Sequence, residues 1–211
     1  RQEPATAVEN WEGAESINAV VLASVPYQGS LTALYNMMYG AKFGLNTALV
    51  DADAFCTFPS VYQLLPSYSP VLLNDQLEPM SQELTDPTFW QNRHWGFLRK
   101  KTNRSKELLE LRLRFVTEML GKASALIARL HALVRAPASA HPRLMHIYCR
   151  SHPTIARTVL IGDGDSSELV FDKASFRSRF PTNAYGQLIS DGDQTVTVAS
   201  AQLPEPYRSE C

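Results

Sequence analysis

Cysteine is scarce. Three residues, Cys56, Cys149 and Cys211, stand far apart with no C-x-x-C pair and no clustered histidines. That spacing argues against a zinc site; three reduced buried thiols are the plainer reading, one disulfide plus a free thiol is the other, and spacing does not decide between them. Net charge is nearly absent at −1, so no global field exists to gather nucleic acid or an anionic surface. Any charged partner has to be held locally, and no nucleic-acid partner is expected. No uncharged apolar run reaches the roughly 18 residues needed for a spanning helix. The opening RQEPATAVENWEG is polar, lacks the apolar stretch of a signal peptide, and begins with Arg rather than Met. Residue 1 is therefore not expected to be the start of the gene, and the compartment stays unassigned.

What is present suits a folded domain: 45 % of the 211 residues are hydrophobic and only 19 % are charged, enough apolar surface to bury a sizeable core. Residues 17–24 (INAVVLAS) form a short β-branched run bounded by Pro26 and Gly29, which reads as a buried strand of a parallel sheet. After the VPYQGS loop, residues 31–43 carry Leu31, Leu34, Tyr35 and Met38 at helical spacing, giving a strand, loop and helix unit of α/β type. The hydroxyl of Ser30 is placed to cap that helix.

From 51 to about 103 the pattern loosens. Pro59, Pro66, Pro70, Pro79 and Pro87 punctuate aromatic and Leu-rich patches, and an irregular excursion without sheet is expected. Residues 104–134 then carry Leu108, Leu111, Phe115, Met119, Leu126 and Leu130 at intervals of mostly three or four, predicting one long helix or two meeting near Gly121. The basic group before it, Arg99, Lys100, Lys101, Arg104 and Lys106, suits a solvated helix start or lipid headgroups and is assigned no role. Pro137 and Pro142 close the helix. Residues 144–149 (LMHIYC) read as a second buried strand, 157–162 and 168–172 as a hairpin across GDGDSS, and 195–200 as a last strand.

Two acidic turns stand out, GDGDSS at 162–167 and SDGDQTVTVAS at 190–200. Either is an ordinary Asp-Gly turn or a loose acidic loop, and neither carries the full calcium-loop signature ending in Glu. The second also suits a carboxylate that orients a catalytic histidine.

Its company gives it that meaning. VLASVPYQGS at 21–30, FPSVYQLLP at 58–66, DPTFW at 86–90 and DGDQTVTVASA at 191–201 occur in this order, and together resemble the lecithin:cholesterol acyltransferase-like lipases of the α/β-hydrolase superfamily. In that family a TPF-x-GS-like loop follows a core strand, a PS-x-x-x-LLP segment belongs to the cap, and a DGD-x-TV loop carries the triad acid. The resemblance implies a partial α/β-hydrolase fold, the C-terminal portion of its mainly parallel sheet with an irregular and helical cap-like insertion. Residues 1–50 would be core strand and flanking helices, 51–136 the cap-like region and long helix, and 137–211 core strand, hairpin and acid loop. It also places the catalytic acid on Asp193, with Asp191 second. The chain departs from the pattern with VPY for TPF, and with Gln194 where Gly or Asp is common.

The superfamily's nucleophile lies in G-x-S-x-G, and no such pentapeptide occurs here. The triad order of Ser, acid, His calls for a histidine after Asp193, yet His94, His131, His141, His146 and His152 all precede it. His146, inside an apolar strand, reads as a satisfied core histidine. The expectation is a segment of a longer lipase or acyltransferase acting on lipid esters, without cofactor or metal, inactive by itself and in peripheral contact with lipid. Phe58, Tyr62, Leu65, Tyr68 and Trp90 would supply an acyl surface or, equally, plain core. With few central strands the segment is expected to expose unpaired edges and to aggregate. The competing functions are a non-catalytic lipid-binding or interaction protein on a degraded hydrolase scaffold, and an unrelated α/β domain with accidental motifs.

Overall fold

A computed structural model describes residues 16–43, 46–99, 105–131 and 142–204. The opening segment, Lys100, Lys101, Arg104, Pro137, His141 and Cys211 lie outside them.

The first strand, β1 (Ala19–Ala23), uses the β-branched Val20 and Val21 where extended backbone suits them. The VPYQGS loop leads into α1 (Leu31–Tyr39), whose first turn is capped by Ser30 accepting from the Thr32 N–H at 3.2 Å. Leu31, Leu34 and Met37 recur at three-residue intervals and bury together. The helical pattern suggested continuation to residue 43, but Gly40 ends the helix, and β2 (Ala41–Phe43) turns back to pair antiparallel with β3 (Asn46–Val50).

The proline-rich stretch is mostly short helices: α2 (Ala52–Phe55), α3 (Pro59–Gln63), α4 (Pro87–Arg93) and a 3₁₀ turn at Gly96–Leu98. Pro59 and Pro87 open helices instead of breaking them, because the first helical turn has no use for their missing N–H. One short strand, β4 (Leu72–Leu73), contradicts the expectation of no sheet in this stretch, since it finds a partner far along the chain.

The long helix α5 (Lys106–His131) is continuous through Gly121. That glycine has nothing within 4 Å of the position a Cβ would take, so it costs only its propensity, about 1 kcal/mol, against a helix held on both sides. Val116, Met119, Leu120 and Ala123 form the buried stripe. Beyond it come β5 (Arg143–Ile147), β6 (His152–Ile155), β7 (Thr158–Ile161), β8 (Glu168–Val170), α6 (Lys173–Arg177), β9 (Ile189–Gly192) and α7 (Val198–Ala201).

The result is a mixed α/β protein with small sheets. β1 and β5 pair in parallel from Ala19↔Arg143 to Ala23↔Ile147, and β4 and β7 also run parallel. β7 and β8 form the expected antiparallel hairpin, and β6 pairs antiparallel with β9. The doubly buried strands expected at 17–24 and 144–149 are corrected. Both alternate between exposed and half-buried, with Val21 57 % and Ile147 55 % exposed. The β1–β5 sheet has only two strands among the described residues, and one apolar face of it has no cover.

The core lies elsewhere. Leu34 and Met37 of α1, Tyr62 of α3, Trp90 of α4, Trp95 before the 3₁₀ turn, and Leu120 of α5 form one continuous cluster. Trp90 and Trp95 meet edge to face with centroids 5.9 Å apart. A smaller cluster under the hairpin joins Leu73, Val159, Val170, Phe176 and Leu188. Asp53 ties α2 to α5 by accepting from Arg99 and Arg112, each at 3.0 Å. Arg99 of the basic group is thus turned inward, whereas Lys106 is exposed.

Candidate functional site

The site is built around a turn that the sequence pattern mistook for a strand. β9 ends at Gly192, opposite His152 of β6. A Cβ on Gly192 would stand 2.3 Å from the Val196 carbonyl oxygen and 2.5 Å from Thr154 Oγ1, so only glycine lets the chain double back here. The Asp193 N–H donates to the Val196 carbonyl at 3.2 Å. In return Asp193 Oδ1 accepts from the N–H groups of Thr195 (2.9 Å) and Val196 (2.7 Å). Gln194 takes a left-handed φ of 79°, and its N–H donates to Thr154 Oγ1 at 2.8 Å. Thr197 then caps α7. Residues 195–200 are therefore turn and helix: the alternating TVTV pattern loses to an aspartate that captures two backbone donors and to a threonine cap.

This turn is locked to the VPYQGS loop. Ser30 Oγ donates to the Thr195 carbonyl, and Ser200 Oγ donates to that of Gly29. Gln28 reaches the same helix end through its N–H to Ser200 Oγ (3.3 Å) and its side-chain amide to the Ala199 carbonyl (3.4 Å). The third segment joins from the other side. Ser30 N–H donates to the Leu64 carbonyl at 2.8 Å, and Ser67 N–H to that of Gln28 at 3.0 Å. Gly29, with φ of 75°, passes so close to Leu65 that a Cβ would lie 2.3 Å from its carbonyl oxygen. VPYQGS, PSVYQLLP and DGDQTV thus form one packed unit. DPTFW stands behind it, with Trp90 6.3 Å from Tyr62.

Asp193 sits where β1 and β5 end. Burial raises its pKa, but the hydrogen bonds from the Val196 and Thr195 N–H groups and from the Ser24 side chain outweigh that and hold the carboxyl below the usual carboxylate range. Ser24 immediately follows β1 and adopts a left-handed φ of 47°, unusual for serine. Cys149, two residues past β5, is near enough to feel the Asp193 charge. Asp191 is exposed on β9 opposite Pro153.

Sequence reasoning missed Ser24 and Thr154, which support the turn from two other places in the chain, and the role of Ser200, which ties the segment to the VPYQGS loop. None carries a local signal, because each acts on a partner remote in sequence.

No histidine forms an ion pair with Asp193 among the described residues. His146 is half-buried, not core, and its Nε2 meets the Ala201 carbonyl. His94 pairs with Asp165, His131 ends α5 exposed, and His152 is exposed on β6. The other acidic turn has a plain structural use. Asp163 and Asp165 cross from the β7–β8 hairpin to Arg93 (3.0 Å) and His94 at the end of α4.

Tyr62, Leu65 and Trp90 are packed in the core, at 0–1 % exposure. The hydroxyl of Tyr62 donates to the Cys56 carbonyl, and the indole N–H of Trp90 to that of Leu84. Phe58 is 50 % exposed, and half-buried Tyr68 lines a cavity. Cys56 and Cys149 are both free thiols. Among the described residues no cluster of metal-ligating side chains is found, and no helix is long and apolar enough to cross a membrane. No family model matches the chain, and no curated protein sequence matches it.

Proposed function

We propose that this chain is a segment of a serine lipase or acyltransferase of α/β-hydrolase type, to which Asp193 contributes the acid of the catalytic triad. The observation that carries this reading is the placement of an ionised carboxylate at the carboxyl ends of two parallel strands, where α/β proteins bind ligands. A serine and a histidine from outside residues 1–211 would complete the triad. The carboxylate would hold the imidazole in one tautomer and stabilise the imidazolium formed when that histidine takes the serine proton. Both backbone donors go to Oδ1, so Oδ2 has no backbone donor and would be the oxygen to receive the histidine beside the Ser24 hydroxyl. Water or an alcohol would then release the acyl group, giving hydrolase or transferase by the same intermediate.

The test is ester hydrolysis by a longer parent carrying G-x-S-x-G and a histidine beyond residue 211, compared with its Asp193→Asn variant. A loss of about 10⁴ in turnover is expected, and retention within about tenfold would sink the assignment. Residues 1–211 alone are expected to show no esterase activity.

A second reading is a non-catalytic lipid-binding or interaction protein on the same scaffold. A coding frame that stops after Cys211 with no upstream elbow would select it.

A further inference from the structure

Pro66, Ser67 and neighbouring residues do more than brace the VPYQGS loop. Their other side, with residues 81–85 and the face of α5 bearing Ser124, Ile127 and Ala128, encloses a cavity of about 400 Å³. That volume falls in the range of small-molecule sites, roughly 300–1,000 Å³. Its floor is apolar: Val71 and Leu84 are 5 % and 3 % exposed, Ile127 also lines it, and the Tyr68 hydroxyl is spent on the Ala156 carbonyl at 3.0 Å. Its wall is not. Ser67, Ser69, Ser81, Thr85 and Ser124 line the space, all but Thr85 in exposed positions, and none of these hydroxyls has a hydrogen-bond partner among the described residues. The lining holds one ionisable carboxylate, Glu83, and no Lys, Arg or His.

We propose that this cavity binds an uncharged polyhydroxy ring, such as a monosaccharide. Five hydroxyls that each donate and accept match a ligand of the same kind, while the floor of Val71, Leu84 and Ile127 takes the apolar C–H face of a ring. An anionic ligand would bring its charge to Glu83 with no cation to receive it. A simple cation would use the exposed carboxylate, which is worth little in water, and leave the hydroxyls idle. The site is independent of the role given to Asp193, which is not among its lining residues.

The experiment is titration of the ¹⁵N-labelled chain with methyl β-glucopyranoside, glycerol and glucose 6-phosphate, followed by amide chemical shifts. The glucoside is expected to give saturable shifts at Leu84, Thr85, Ser124 and Ile127 in the millimolar range, with glycerol weaker for want of a ring face and the phosphate at least about tenfold weaker. Ala128→Trp, on the exposed helix surface, should fill the cavity and abolish the shifts. Ser124→Ala should weaken binding about threefold to tenfold, the effect of one hydrogen bond. Glu83→Gln should leave glucoside binding within about twofold. Absence of saturable shifts, shifts unchanged in Ala128→Trp, phosphate binding equal to the glucoside, or loss of binding in Glu83→Gln would each overturn the proposal.

Discussion

The hydroxyl of Ser200 donates to the carbonyl oxygen of Gly29, a residue 171 positions earlier, and is fully buried while doing so. It also shares the Gln28 N–H with its own main-chain carbonyl, at 3.3 and 3.4 Å. The side chain therefore satisfies the Gly29 acceptor by itself and the Gln28 donor jointly with the backbone. Ser200→Ala should leave the Gly29 carbonyl without this partner and cost about 1–3 kcal/mol. Urea unfolding measures it, and a change below about 0.5 kcal/mol would show that the two loops are not held through this contact.

Two neighbouring positions in the acid turn should respond oppositely to their Cβ. At Gly192 the obstacle is space, with two oxygens within 2.5 Å of a Cβ. Gly192→Ala should therefore destabilise by about 1–3 kcal/mol or more. At Gln194 the obstacle is torsion, at φ 79°. Gln194→Gly removes a left-handed penalty of about 1–2 kcal/mol and returns part of it as backbone entropy, so the variant should be neutral to slightly stabilised. Unfolding of the pair checks the contrast, and equal losses at both sites would refute it.

Asp193 should titrate below the ordinary carboxylate range near 4. A carboxyl depressed by folding contributes stability that is present above its unfolded pKa and is lost as pH falls through the folded pKa. The turn should thus hold through mildly acidic conditions and loosen only below that range. NMR titration of the Asp193 carboxyl reads this directly. Ser24→Ala, which deletes one of its donors, should move the midpoint upward, and an unmoved midpoint would remove Ser24 from the site.

The two described thiols should differ in reactivity. Burial pushes Cys56 up to about 12, and its Sγ faces the Met37 carbonyl. Cys149 is lowered, first by the Ser151 side chain at 3.3 Å and then by its backbone. Peptide mapping after brief alkylation should find Cys149 modified and Cys56 intact. Ser151→Ala should slow the reaction of Cys149.

The open face of the β1–β5 sheet should drive self-association. Val21, Met145 and Ile147 are 57 %, 45 % and 55 % exposed, and Val21 lies opposite Met145 in the parallel ladder. Val21→Lys should reduce light scattering of the concentrated chain while changing stability by no more than about 0.5 kcal/mol, as befits a surface site. Unchanged scattering would place the association elsewhere.

What the sequence determined by itself is local. The cap by Ser30, the continuous run of α5 and the β7–β8 hairpin depend on contacts within a few residues, and periodicity and turn chemistry report those directly; β1 shows in its β-branched run, although its partner β5 lies far along the chain. Tertiary structure decided everything that depends on a remote partner. The TVTV stretch became a turn because Asp193, Thr154 and Ser30 together outbid strand pairing. Tyr62, Leu65 and Trp90 went to the core because α5 packs over them, a contact that no local pattern encodes. The order of the motifs singled out the Asp193 loop. Only the fold supplied Ser24, Thr154 and Ser200 around it, since residues far apart along a chain leave no periodic trace of meeting.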